Sequence, residues 1–127
     1  MEIEGIHTIF HFVSDLQRSV VFYTTLFGEK PSGGYADIMS SFQLGNTRFV
    51  LHSDKNATWL PEGAKRGVGT ALHFQVRSAD RQWERLNKLD FPLPEKPTTL
   101  HTGIRKFAIK DPDGYDVEFV EPPSSPH

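Results

Sequence analysis

The chain states one pattern twice. A run of β-branched and aromatic residues, Thr8 to Val13, passes through Ser14 and Asp15 into a helical stretch that stops at Gly28. In the second half, Ala71 to Val76 passes through Ser78 into a stretch containing Trp83, Glu84, Arg85 and Leu86. Each half then closes with a strand pair, the second folded about Asp111, Pro112, Asp113 and Gly114. A duplicated strand-helix-strands unit buries one face of each sheet beneath its helix. The other faces are left to wrap a shared cavity, and that cavity is where function is expected.

At 127 residues the chain is long enough for one domain with a single core, whereas two half-size units would each be marginal alone. Its formal net charge of -2 is spread without long like-charge runs, which gives no electrostatic reason to expect nucleic acid or an anionic membrane as partner. The expected partner is a small molecule or another chain. No cysteine is present, so disulfides, thiolate metal sites and a cysteine nucleophile are excluded. Met1 to Gly5 lacks the basic and apolar regions of a signal peptide, and no apolar run approaches the roughly 20 residues that span a bilayer. A cytoplasmic protein is the expectation.

Local signals divide the chain further. Residues 6–13 read as a strand, and Ser14 with Gln17 forms a capping box that starts a helix at Asp15. Leu16, Val20, Tyr23 and Phe27 recur at helical spacing, with Phe22 and Leu26 widening the stripe, so one broad face must pack on its own sheet. Pro31 and the pair Gly33 and Gly34 read as a break, followed by strands at 35–44 and 47–53 joined at Gly45 and Asn46. Residues 54–69 are turn formers without periodicity and read as a linker, or as a lid carrying Trp59. In the next strand Leu72, Phe74 and Val76 fall on one face and Ala71, His73 and Gln75 on the other. A helix follows at about 79–89. Pro92, Pro94 and Pro97 hold an extended connection, then strands at 104–110 and 115–121 flank a strong turn. The tail, 122–127, is expected to be disordered.

The segment Val13 to Ser19 with Phe22, Tyr23, Leu26, Phe27 and Gly28, and the segment Phe107 to Phe119 around the Asp-Pro-Asp-Gly turn, resemble the vicinal oxygen chelate superfamily. That superfamily groups glyoxalases, ring-cleaving dioxygenases, fosfomycin-resistance enzymes and bleomycin-resistance binding proteins, and the likeness covers roughly residues 5–121. It implies an α+β fold of tandem βαβββ repeats, with two curved mixed sheets around a cup-shaped cavity. Repeat one would span about 5–53, the linker 54–69 and repeat two about 70–121. The resemblance also implies homodimers. In metalloenzymes of this kind four ligand places hold a divalent ion of Zn, Ni, Mn or Fe type, with open positions for substrate oxygens. Here those places fall on Thr8, Val50, Ala71 and Glu118. Only Glu118 is the expected type of ligand, so no metal cofactor is expected.

Several residues then compete for roles. Glu118 is a candidate general base or metal ligand, against a plain carboxylate on the cup floor. His52 and His73 each lie two residues past an implied ligand place, on the same strand face and about 6.5 Å farther along. They either form a displaced metal site with Glu118 or serve as hydrogen-bonding groups of a ligand pocket. If Val13 packs under the helix, Ile9 and His11 share its face while Thr8, Phe10 and Phe12 face the cup. A one-residue bulge would instead send His7 and His11 into the cup. Phe10 and Phe12, with Phe42 and Phe49 as candidate neighbours, suit a flat or apolar ligand oriented by His73, Gln75 and Arg105. Trp59 is either a lid or an anchor against a dimer partner.

Two functions follow. The first is a small-molecule-binding protein of the glyoxalase/bleomycin-resistance type, without the usual metal site, holding an apolar or aromatic ligand. The alternative is a glyoxalase-like lyase or isomerase with Glu118 as base or metal ligand, in which Arg105 or a protonated His73 replaces the metal's charge. A weaker third is a domain whose cup is filled by its own side chains and whose role is association.

Overall fold

A computed structural model describes residues 1–124 and divides the chain into two compact units, Met1–Arg66 and a second that begins at Gly67. The first unit opens with strand β1, Thr8–Val13, and helix α1, Leu16–Phe27. Asp15 rather than Ser14 caps the helix: its carboxylate accepts the Arg18 amide at 3.1 Å, while the Ser14 hydroxyl accepts from the Arg18 guanidinium. The cap therefore falls one residue later than the capping box predicted, because the Asp15 carboxylate accepts the amide three residues on. Gly28 ends the helix in the left-handed region, φ 71°, which a Cβ would penalise.

The rest of the unit is an antiparallel run, β2 (Gly33–Tyr35), β3 (Met39–Leu44) and β4 (Thr47–Ser53). The sheet order is β1-β4-β3-β2, with β1 parallel to β4. Gly33 and Gly34 do not break the chain as expected; they form the edge strand, and the predicted strand 35–44 is split by a turn at 36–38. Close approach explains the glycines. A Cβ on Gly34 would lie 2.8 Å from the Met39 carbonyl oxygen, a backbone atom that cannot step aside. Phe42 and Phe49 lie on the helix face, packed edge-on against Phe27 and Tyr23, and so do not line the outward face as anticipated.

The second unit repeats the order with β5 (Ala71–Gln75), α2 (Ala79–Lys88), β6 (Thr98–Thr99), β7 (Arg105–Lys110) and β8 (Asp116–Glu121) in sheet order β5-β8-β7-β6. Ser78 caps α2 by accepting the Arg81 amide. The connection after α2 contributes the short strand β6, which pairs with β7. Leu86, Phe107, Ile109, Val117 and Phe119 are buried as the core of this unit. Asp111 organises the β7–β8 turn, its Oδ1 accepting the amides of Asp113 and Tyr115, each at 2.9 Å. Beyond β8, Pro122–Ser124 run as exposed coil, and a Cβ at Gly103 would lie 2.9 Å from Pro123. Residues 125–127 of the expected tail lie outside the described residues.

Both repeats are thus α+β modules with one mixed four-stranded sheet and one helix. In each, strand alternation hands one sheet face to the helix and leaves the other for chemistry.

Candidate functional site

In the second unit the outward face is set by register. His73 of β5 stands beside Glu118 of β8, and Ala108 of β7 stands on its other side. Ala108 is too small to cover the carboxylate, so Lys106, two residues back on the same face, reaches across. Its Nζ donates to Glu118 Oε1 at 2.6 Å, and His73 Nε2 lies 3.1 Å from Oε2. Glu118 is only 8 % exposed, whereas the side chains of Lys106 and His73 are 29 % and 54 % exposed. A buried carboxylate with both oxygens engaged is the form in which such burial is tolerated. The hydrogen bond from Lys106 to Glu118, and the charge of that carboxylate, hold the ammonium's pKa above the ordinary lysine range. Lys110 and Asp116 form a neighbouring pair on this face, 3.2 Å apart.

The outward face of the first unit is aromatic. Phe12 pairs with His52 in the parallel β1–β4 register, and their ring centroids are 5.7 Å apart. Trp59, from the segment after β4, packs edge-on against both, 5.0 Å from His52 and 5.9 Å from Phe12. Phe10 lies 6.2 Å from His52 on the same face. His52 is buried, and its Nδ1 is 2.9 Å from the Ser53 carbonyl oxygen. Phe10 is 45 % exposed and Trp59 62 %. Large aromatic side chains left this open are the informative departure from ordinary burial. The segment that carries Trp59 is tied back to its unit by an Arg66–Asp54 ion pair at 3.2 Å.

The remaining candidates separate cleanly. Gln75 lies in β5, exposed, at the same alternation as His73. Arg105 does not join this group. It shares the face of Phe107 and Ile109, and its guanidinium grips Asp80 at the start of α2 through two 2.9 Å bonds and also donates to Thr99. That hydrogen bond to Arg105 lowers the Asp80 pKa and raises that of Arg105. The cation in contact with Glu118 is Lys106, which is not among the candidates expected from the sequence. The signal was available: Lys106 has the strand parity of Ala108, opposite Glu118, and Arg105 has the other parity. β1 runs without a bulge, pairing residue for residue from Thr8–Arg48 to Val13–Ser53. His11 is therefore buried on the helix face, against the Phe49 ring, while His7 precedes the strand, exposed, with its ring hydrogen-bonded to Thr8.

The donor set does not suit a divalent transition ion. Thr8, Val50 and Ala71 stand at three of the four places that the resemblance implies, and Glu118 already carries an ammonium at 2.6 Å and an imidazole at 3.1 Å. Among the described residues, no three His, Cys, Asp or Glu side chains come together as a metal-holding group. Among the same residues, no helix is long and apolar enough to cross a membrane.

Comparison with known proteins adds the fold's kinship. The family model described as Glyoxalase/Bleomycin resistance protein/Dioxygenase superfamily matches residues 5–119. No curated protein matches the sequence. Similar solved structures include a lactoylglutathione lyase from Agrobacterium tumefaciens, with TM-score 0.75 and 21 % identity over 94 % of this chain and 94 % of that one. A glyoxalase/bleomycin resistance protein/dioxygenase from Nocardioides has TM-score 0.79 and 19 % identity over 99 % of this chain and 88 % of that one. A glyoxalase-related enzyme from Fulvimarina pelagi has TM-score 0.78 and 22 % identity over 98 % and 92 %. At these identities the likeness is one of fold.

Proposed function

The chain belongs to the glyoxalase/bleomycin resistance protein/dioxygenase superfamily, and from that membership we propose that it is a small-molecule-binding protein for a flat, aromatic or apolar ligand. It works without a divalent metal, as a homodimer in the cytoplasm. The observation that carries this reading is the aromatic surface of Phe10, Phe12, His52 and Trp59, open on the outward face of the first unit. Aromatic rings recognise flat ligands by stacking and edge contacts, and two of these four are about half open to solvent. The chain has two tryptophans, so Trp83→Phe leaves Trp59 as the sole reporter. Titration of that variant with 2-naphthol is expected to quench Trp59 saturably, and Phe12→Ala is expected to weaken the effect. Linear, non-saturable quenching by 2-naphthol would overturn the reading.

The contact of Glu118 with Lys106 and His73 favours one second reading, a lyase or isomerase. Glu118 would take a proton from a bound substrate while the Lys106 ammonium stabilised the anion left behind. Lactoylglutathione, named by the Agrobacterium relative, is the substrate to try first. On the binding reading it is not consumed, with or without added Zn, Ni, Mn or Fe. Turnover by the wild type that Glu118→Gln abolishes would replace the binding protein with the enzyme.

A further inference from the structure

The second unit's outward face is layered, and the layering carries chemical information. The acid lies underneath, 8 % exposed, and the nitrogen groups that satisfy it lie above, at 29 % for Lys106 and 54 % for His73. An approaching molecule meets N–H donors before it meets Glu118. Both oxygens of that carboxylate are already engaged, Oε1 by Lys106 and Oε2 by His73. Asp116 on the same face is taken up by Lys110. Glu118 and Asp116 are therefore spent, and the exposed Glu95 acts on Lys106 only through its charge. The Lys106 ammonium has three N–H donors, one of which goes to Glu118, and the other two have no partner among the described residues. An anionic oxygen would find two N–H donors of one ammonium, neither of which needs rearrangement.

We propose that Lys106, held in place by Glu118, binds an anionic oxygen, so that the outward face of the second unit takes a small organic acid. The bond to Glu118 fixes the ammonium, so the flexible lysine stem is already ordered before the ligand arrives and less entropy is lost on binding. The same bond raises the lysine pKa, so the group stays charged at neutral pH and acts as a cation rather than as an amine nucleophile. Lys106 thereby supplies, from within the chain, a positive charge beside the one acidic residue that stands at an implied metal-ligand place.

This inference rests on the reading that the chain binds small molecules, and its test separates the two. Benzoate and benzamide share a shape and differ in charge, so their affinities for the full-length protein are compared by titration calorimetry. Benzoate is expected to bind about tenfold more tightly, the difference between a charge-assisted and a neutral hydrogen bond. Lys106→Gln, which keeps a donor for Glu118 but no charge, is expected to bring the ratio to within about twofold by weakening benzoate alone, and Lys106→Arg to preserve the preference. Thermal unfolding of each variant confirms that the sheet is intact. Equal binding of both probes by the wild type, or a preference that survives Lys106→Gln, overturns the role of Lys106 and leaves ligand binding standing. Binding of neither probe overturns both.

Discussion

At position 11 an imidazole shares a strand face with Val13 and lies against the Phe49 ring, only 2 % exposed. Burial removes the water that would solvate its charged form, and its pKa falls from 6.5 to about 4. The unfolded chain binds that proton near pH 6.5 and the folded chain does not until about pH 4. The stability this neutral histidine contributes is therefore intact above pH 6.5 and lost progressively as the pH falls towards 4. Between pH 7 and pH 5 the loss from this residue is about 2 kcal/mol. Urea unfolding of the wild type and of His11→Leu at both pH values should show the variant losing less stability by that amount; parallel losses would refute it. Strand parity was sufficient to place His11 beside Val13, because a half-buried strand fixes its side chains by a period of two. The same parity separates Lys106 from Arg105, whose planar fork suits an anion better on chemical grounds alone. Chemistry alone favoured Arg105; geometry had already spent it on Asp80.

Elements were legible wherever a local signal encodes them. Helix α1 has its stripe and its glycine stop, α2 has its Ser78 cap, and the last hairpin has its Asp-Pro-Asp-Gly turn. Strands β2 and β6 were not legible, since three and two residues are too few to show alternation and each exists only through pairing with a distant neighbour. The hairpin turn depends on one side chain. Asp111 is buried, and its Oδ1 receives the amides of Asp113 and Tyr115. Asp111→Ala would leave two backbone donors without that acceptor and should cost about 2 kcal/mol. Asp111→Asn keeps the oxygen and should cost less than about 1 kcal/mol. Urea midpoints with an unchanged slope would measure both, and equal costs for the two variants would show that the carboxylate charge, not the acceptor geometry, holds the turn.

At the scale of the whole molecule, the duplication was legible because each copy spells the same order of strand, helix and strands. The chemistry was less so, because a resemblance transfers positions and not residues: Thr8, Val50 and Ala71 keep places in the scaffold without the side chains of a metal site. Two compact units, one of them Met1–Arg66, are each close to the size at which a single core becomes marginal. The chain also leaves Ile3, Ile6, Phe10, Tyr35 and Val68 exposed to solvent. A second copy covering part of that surface would stabilise the folded state by mass action, and this is the physical content of the homodimer proposed above. Sedimentation equilibrium should then give twice the 14.4 kDa chain mass, and the melting temperature should rise with protein concentration. A monomer mass together with a concentration-independent melting temperature would leave that surface to the ligand alone, and Phe10 would then be tested as part of the binding face rather than as part of an interface.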